Sequence, residues 1–147
     1  MLDIRKITEK DKALMLAMLK DFYHSPAVDH LVADEVLERT ASDAAAGNGI
    51  DGYLLYDGDD PVGYSLVTSF YAAEVGGKCV MIEDLYLKEA CRGKGYGHQF
   101  FAWLQEQYKD ARRFRLEVTM ENTGAIALYQ RLGFQWLNYG QMALERP

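Results

Sequence analysis

At 147 residues, 49% of them hydrophobic and 26% charged, the chain has the composition of an ordinary soluble globular protein, and residues 1–147 suit a single domain. A net charge of -6 argues against a basic nucleic-acid-binding face. No apolar run approaches the roughly 20 residues of a membrane span, and the opening MLDIRKITEKDK has no apolar stretch behind its charges, so no secretory signal is expected and the cytosol is the default. Two cysteines, Cys79 and Cys91, and three scattered histidines, His24, His30 and His98, are too few and too dispersed for a disulfide framework or a metal site.

Along the chain, alternation predicts a strand over Leu2 to Ile7, followed by Thr8 as a helix cap with Asp11 three residues on. Ala13 to Phe22 carries a helical apolar face that Ser25-Pro26 breaks, and a second helix fits Asp34 to Ala46, closed by Gly47-Asn48-Gly49. Strands then follow at Gly52 to Tyr56, Pro61 to Tyr71 and Cys79 to Leu87, with hairpin chemistry at Asp57-Gly58. A glycine-rich loop, Ala90 to Gly97, leads into a helix from about His98 to Tyr108. The rest reads as a strand at Phe114 to Val118, a short helix at Ala125 to Leu132, and closing strands at Phe134 to Leu137 and Gln141 to Leu144. Successive strands without intervening helices imply antiparallel pairing in the first half, and the later strand–loop–helix–strand unit implies one parallel pair. The expected architecture is α+β: a central mixed, mostly antiparallel sheet of about six to seven strands flanked by helices.

The run Arg92-Gly93-Lys94-Gly95-Tyr96-Gly97-His98 follows an apolar strand and opens a helix. That is an anion site in physical terms, because the first helical N–H groups lack partners and the helix dipole adds positive charge. The glycine spacing does not fit a dinucleotide fingerprint, and Gly97 is not followed by the Lys-Ser/Thr of a Walker loop. A plain flexible turn is the competing reading.

Glu83 and Asp84 are adjacent carboxylates in an otherwise apolar strand. They face opposite ways unless a bulge intervenes, so one is expected to serve a ligand and the other to be held structurally. On helical spacing alone Tyr129 reads as a core tyrosine whose hydroxyl needs a partner, and Asn122 reads as a turn residue.

Together the strand IEDLYL, the signature Arg92-x-x-Gly95-x-Gly97, and the block EVTMENTGAIALYQRLGF resemble the GNAT superfamily of N-acetyltransferases over Met81 to Phe134. The resemblance implies acetyl-CoA as co-substrate and no metal. It assigns the backbone of Leu85, Tyr86 and Leu87 to the pantetheine arm, and Gly93, Lys94, Gly95, Tyr96, Gly97 and His98 to the pyrophosphate with Arg92 starting the loop. Asn122 would touch the cofactor arm and Tyr129 would be the general acid at the sulfur. The strand is most similar to that of the spermidine/spermine and thialysine acetyltransferases, by which match Glu83 is the general base. The acceptor implied is a primary amine of a small molecule, polyamine- or amino-acid-like and cationic, with no nucleic-acid or membrane partner and with homodimerisation left open. Asp21, Asp29, Asp34 and Glu35 hint at that cation, although a solvated helix face explains them equally. A protein lysine or N-terminus, an aminoglycoside, a non-catalytic acyl-CoA sensor and a bare interaction domain are the alternatives.

Overall fold

The computed structural model describes residues 1–28 and 30–146; Asp29, one of the four acidic residues singled out above, lies outside the described residues. β1 (Leu2–Lys6) leads to Thr8, whose backbone N–H and hydroxyl both donate to Asp11 Oδ2, at 3.0 and 2.9 Å. This box starts a short 3-10 turn (Glu9–Asp11) that continues as α1 (Lys12–Tyr23). α2 (Asp34–Ala46) has the expected bounds and closes with the Asn48 N–H on the Asp43 carbonyl at 2.8 Å. Then come β2 (Asp51–Asp57), β3 (Asp60–Ala72), β4 (Gly77–Leu87), α3 (Tyr96–Gln107), β5 (Ala111–Leu116) and α4 (Thr123–Arg131).

The strands form one sheet in the order β1-β2-β3-β4-β5. β1 to β4 pair antiparallel, and β5 joins β4 in parallel across the α3 crossover. Two expectations need correction. Among the described residues the sheet has five strands, not six to seven, and without the closing strands the parallel pair forms one edge of it. Segments 134–137 and 141–144 form no ladder. A strand needs hydrogen-bonding neighbours, and apolar alternation only permits it. Here Trp136, Met142 and Leu144 are exposed, and Tyr139 is tied by its hydroxyl to Glu74 Oε2 at 2.5 Å, beside the β3–β4 turn.

Each face of the sheet buries its own core. On one side Met15, Met18 and Leu19 of α1 and Ala41 and Ala44 of α2 pack on Leu54, Tyr64, Leu66 and Tyr86. On the other, Phe100 and Leu104 of α3 pack on Leu55, Val67, Val80 and Ile82. Each fully buried Leu, Met, Val, Ile or Phe among them contributes about 1.5–3 kcal/mol. The two-sided burial explains why β4 reads as a nearly continuous apolar run.

The register between β3 and β4 breaks once. Leu66 pairs with Asp84 but Val67 pairs with Ile82, so Glu83 is an extra residue with no partner opposite. The bulge switches the strand's phase. Ile82 belongs to the α3 core, whereas Asp84 and Tyr86 lie on the α1 side.

Candidate active site

β4 delivers the chain into the glycine turn. Arg92 Nε donates back to the Leu87 carbonyl at 3.0 Å, which ties the turn to the strand end. Gly93 and Gly95 both have left-handed backbones, with φ of 77° and 83°, and a Cβ on either would meet nothing within 4 Å. The glycines are therefore required by conformation, and the space over them is open. Gly95 caps α3, so the N–H groups of Tyr96, Gly97 and His98 open the helix without intrahelical acceptors. Lys94 and His98 are exposed beside them. Tyr96 points elsewhere: its hydroxyl donates to Asp57, a bond that pushes the phenol up to about 12 and anchors α3 to β2. Only its backbone is left to face an anion. Gly97 has a different reason, since a Cβ there would stand 2.7 Å from Leu128 Cδ2 of α4.

Beyond the turn the sheet opens. Pairing of β4 with β5 runs from Lys78↔Ala111 to Ile82↔Leu116 and stops, while β4 continues through Glu83 to Leu87. The backbone of Leu85, Tyr86 and Leu87 thus lines one lip of a gap between diverging strands. The other lip is residues 117–122. There Asn122 caps α4, its side-chain oxygen accepting from the Ala125 N–H at 3.3 Å. Thr119 Oγ1 is buried with no partner among the described residues. An unmet buried hydroxyl costs about 1–3 kcal/mol, so this one calls for a ligand or water partner. Sequence reasoning missed Thr119, because a threonine after a strand carries no local signal.

The bulge decides the carboxylates. Glu83 accepts from Thr68 Oγ1 at 2.8 Å, and Thr68 shares the β3 face of Leu66, so Glu83 and Asp84 both lie on the α1 side. Glu83 is exposed and Asp84 only 4% exposed. Asp84 accepts from the hydroxyls of Tyr23, at 2.8 Å, and Tyr64, at 3.0 Å, and its carbonyl accepts from Ser65 Oγ at 2.8 Å. Burial pushes its carboxyl up to about 6 against the opposing pull of those two phenols, with Glu83's charge adding to the rise. The charge of Asp84 in turn raises Tyr23 and Tyr64, whose shifts are led by burial.

Tyr129 lies in α4 with its ring edge-on to Phe134, centroids 5.6 Å apart. Burial first, and the charge of Asp84 second, push its phenol up to about 12, so it stays protonated. It also lines a cavity of about 700 Å³ between β5, α4 and residues 132–141. That cavity includes neither Glu83 nor the glycine turn, so the gap at the β4–β5 divergence is the better candidate. Of the acidic residues singled out above, Asp34 is engaged with Lys20 and His24 at 3.9 and 3.7 Å. Among the described residues no group of three or more His, Cys, Asp or Glu could hold a metal, and no helix is long and apolar enough to cross a membrane.

A family model described as acetyltransferase (GNAT) family matches residues 14–134. The chain belongs to that acetyltransferase family. It is an acetyl-CoA-dependent N-acetyltransferase of the GNAT type. Comparison with curated proteins gives no sequence match. Among solved structures the acetyltransferase is similar to a possible acetyltransferase from Clostridium difficile 630, with 17% identity and a TM-score of 0.81 over 99% of this chain and 98% of that one. It is also similar to AAC(6')-Iy, solved with the bisubstrate analog CoA-S-monomethyl-acetylneamine, at 16% identity and a TM-score of 0.80 over 100% and 99%. A predicted acetyltransferase solved with acetyl-CoA, from Clostridium acetobutylicum, gives 18% identity and a TM-score of 0.73 over 98% and 96%.

The residues present fit such a co-substrate. Open left-handed glycines beside free helix N–H groups suit a pyrophosphate, and a strand edge left unpaired past Ile82 suits an amide-bearing arm.

Proposed function

We propose that this acetyltransferase moves the acetyl group onto a primary amine of a small, cationic, polyamine- or amino-acid-like molecule by direct attack. Glu83 is the general base and Tyr129 the general acid. The observation that carries this reading is the bulge, which leaves Glu83 exposed where β4 leaves β5 while Asp84 is buried behind it. Arg92, Lys94 and the N–H groups of residues 93–98 hold the pyrophosphate, Leu85 to Leu87 and Asn122 hold the arm, and acetyl-CoA supplies an activated thioester with a thiolate leaving group.

An alkyl ammonium with a pKa of about 10.4 must lose a proton before it can attack at neutral pH. Glu83 accepts that proton, directly or through a water. The N–H of Leu85 steadies the charge that develops on the carbonyl oxygen. Tyr129, kept protonated by its surroundings, donates to the departing sulfur. Cys79 takes no part: burial raises it and holds it as a thiol. An aminoglycoside amine is the second reading, favoured by the full-length likeness to AAC(6')-Iy.

Thermal unfolding with acetyl-CoA, ATP and NADH tests the cofactor. At 100 times its dissociation constant acetyl-CoA adds about 2.7 kcal/mol and should raise the midpoint by roughly 5–11 °C, with no rise from the controls. Thiol release with a panel of polyamines, amino acids and aminoglycosides then ranks the acceptors. A flat thermal response at saturating acetyl-CoA would overturn the reading.

A further inference from the structure

Glu83 occupies its position only because the strand bulges there. Without the bulge, and with Val67 still paired to Ile82, Glu83 would stand opposite Leu66 in the place Asp84 now holds, and Asp84 would turn toward the α3 core. The register is therefore a choice between two phases, and something must hold the observed one. Asp84 does so on geometric grounds. In the observed phase its carboxylate receives two phenol donors, one from β3 and one from α1, and its own carbonyl receives the Ser65 hydroxyl. Shifted by one residue, the same carboxylate would lose Tyr23 and Tyr64 and face apolar surface.

We infer that Asp84 is the positioning residue of the Glu83 base, and that Tyr23 at the end of α1 completes the clamp that holds it. This rests on the acyl-transfer reading for its link to turnover, but the clamp itself is a statement about the β4 bulge. The parts come from three elements. Tyr64 fixes Asp84 from within the sheet, Tyr23 fixes it from the helix above, and Thr68 then receives Glu83 on the same face. Phe22 braces the arrangement, edge-on to Tyr23, Tyr64 and Tyr86 at centroid distances of 5.1, 6.4 and 6.0 Å. The end of α1 thereby belongs to the site, although nothing in its sequence marks it. Asp84 does not touch substrate in this scheme and donates or accepts no proton of the reaction; it acts through Glu83.

A double-mutant cycle separates that role from a merely structural one. Turnover is compared in the wild type, Glu83→Gln, Asp84→Asn and the double variant, with acetyl-CoA affinity measured by calorimetry in each. Asp84→Asn alone should lower kcat by ~10-fold to 100-fold and leave acetyl-CoA affinity within about threefold. In the Glu83→Gln background the same change should alter kcat by less than about threefold, because the base it positions is gone. Equal losses in both backgrounds would overturn the inference, as would an unchanged kcat in the single variant.

Tyr23→Phe provides the second arm, because it removes one donor and keeps the ring. Amide exchange followed by NMR should quicken about tenfold or more at Glu83 to Leu85 in Tyr23→Phe and stay unchanged at Cys79 to Met81. Uniform exchange along β4 would overturn the clamp. If the wild type acetylates no amine at all, the acyl-transfer reading fails by itself, and the clamp is judged on the exchange data alone.

Discussion

At the scale of single residues, the molecule separates two neighbouring carboxylates by environment. Glu83 is exposed and held by one hydroxyl; Asp84 is buried and held by two. Burial lifts the Asp84 carboxyl from its ordinary 3.8 to about 6. The sign of the consequence is unusual for an aspartate. Between those values the folded chain holds a proton that the unfolded chain has released, so the contribution to stability is present below about pH 4 and is lost as pH rises through about 6. The whole swing is worth about 3 kcal/mol. Asp84→Asn has no such proton to lose. Urea denaturation at pH 4.5 and pH 7.5 should therefore show the variant gaining stability relative to the wild type as pH rises, by about 2–3 kcal/mol across the interval. A stability difference independent of pH would mean that Asp84 titrates as an ordinary exposed carboxylate.

At the scale of elements, two of the signature glycines do unlike jobs. Gly95 supplies a left-handed cap with open space around it, while Gly97 lets α4 close on α3 through Leu128. Gly97→Ala should push Leu128 aside and cost about 1–3 kcal/mol in urea denaturation, and Leu128→Val in the same chain should recover part of that cost. A neutral Gly97→Ala would place the helices further apart than their contact requires.

The sequence announces α2 to the residue, because a polar face, an apolar stripe and a glycine stop agree there. The glycine turn was equally legible, since its chemistry is local. The bulge at Glu83 was legible only as a condition, because periodicity cannot say whether a strand slips by one residue. The two closing strands are absent although their residues suit strands. Phe134 and Trp136, and Met142 and Leu144, are spaced as in a strand, yet that spacing does not supply the neighbour that makes one. Thr119 and Tyr23 left no trace in the pattern at all, because their roles arise only when distant segments meet.

At the scale of the whole molecule, the sheet is a partition. α1 and α2 cover the face that carries Glu83 and Asp84, while α3 covers the opposite face and its N-terminus meets the glycine turn. Past Ile82↔Leu116 β4 parts from β5, and the gap there borders both sides. A co-substrate seated there must touch both lips at once. At 100 times its dissociation constant, acetyl-CoA should slow amide exchange by up to ~100-fold at Leu85 to Leu87, Gly93 to His98 and Thr119 to Ala125, wherever exchange needs the bound state to open. α2, on the α1 face of the sheet, should be unaffected by acetyl-CoA alone and, on the proposed function, gain protection only when an accepting amine is added with a non-transferable analogue of the thioester. Protection confined to Phe134 to Gln141 would instead seat the co-substrate in the cavity beside β5. Tyr129 lines that cavity and Glu83 does not, so the proposed pairing of base and acid would fail.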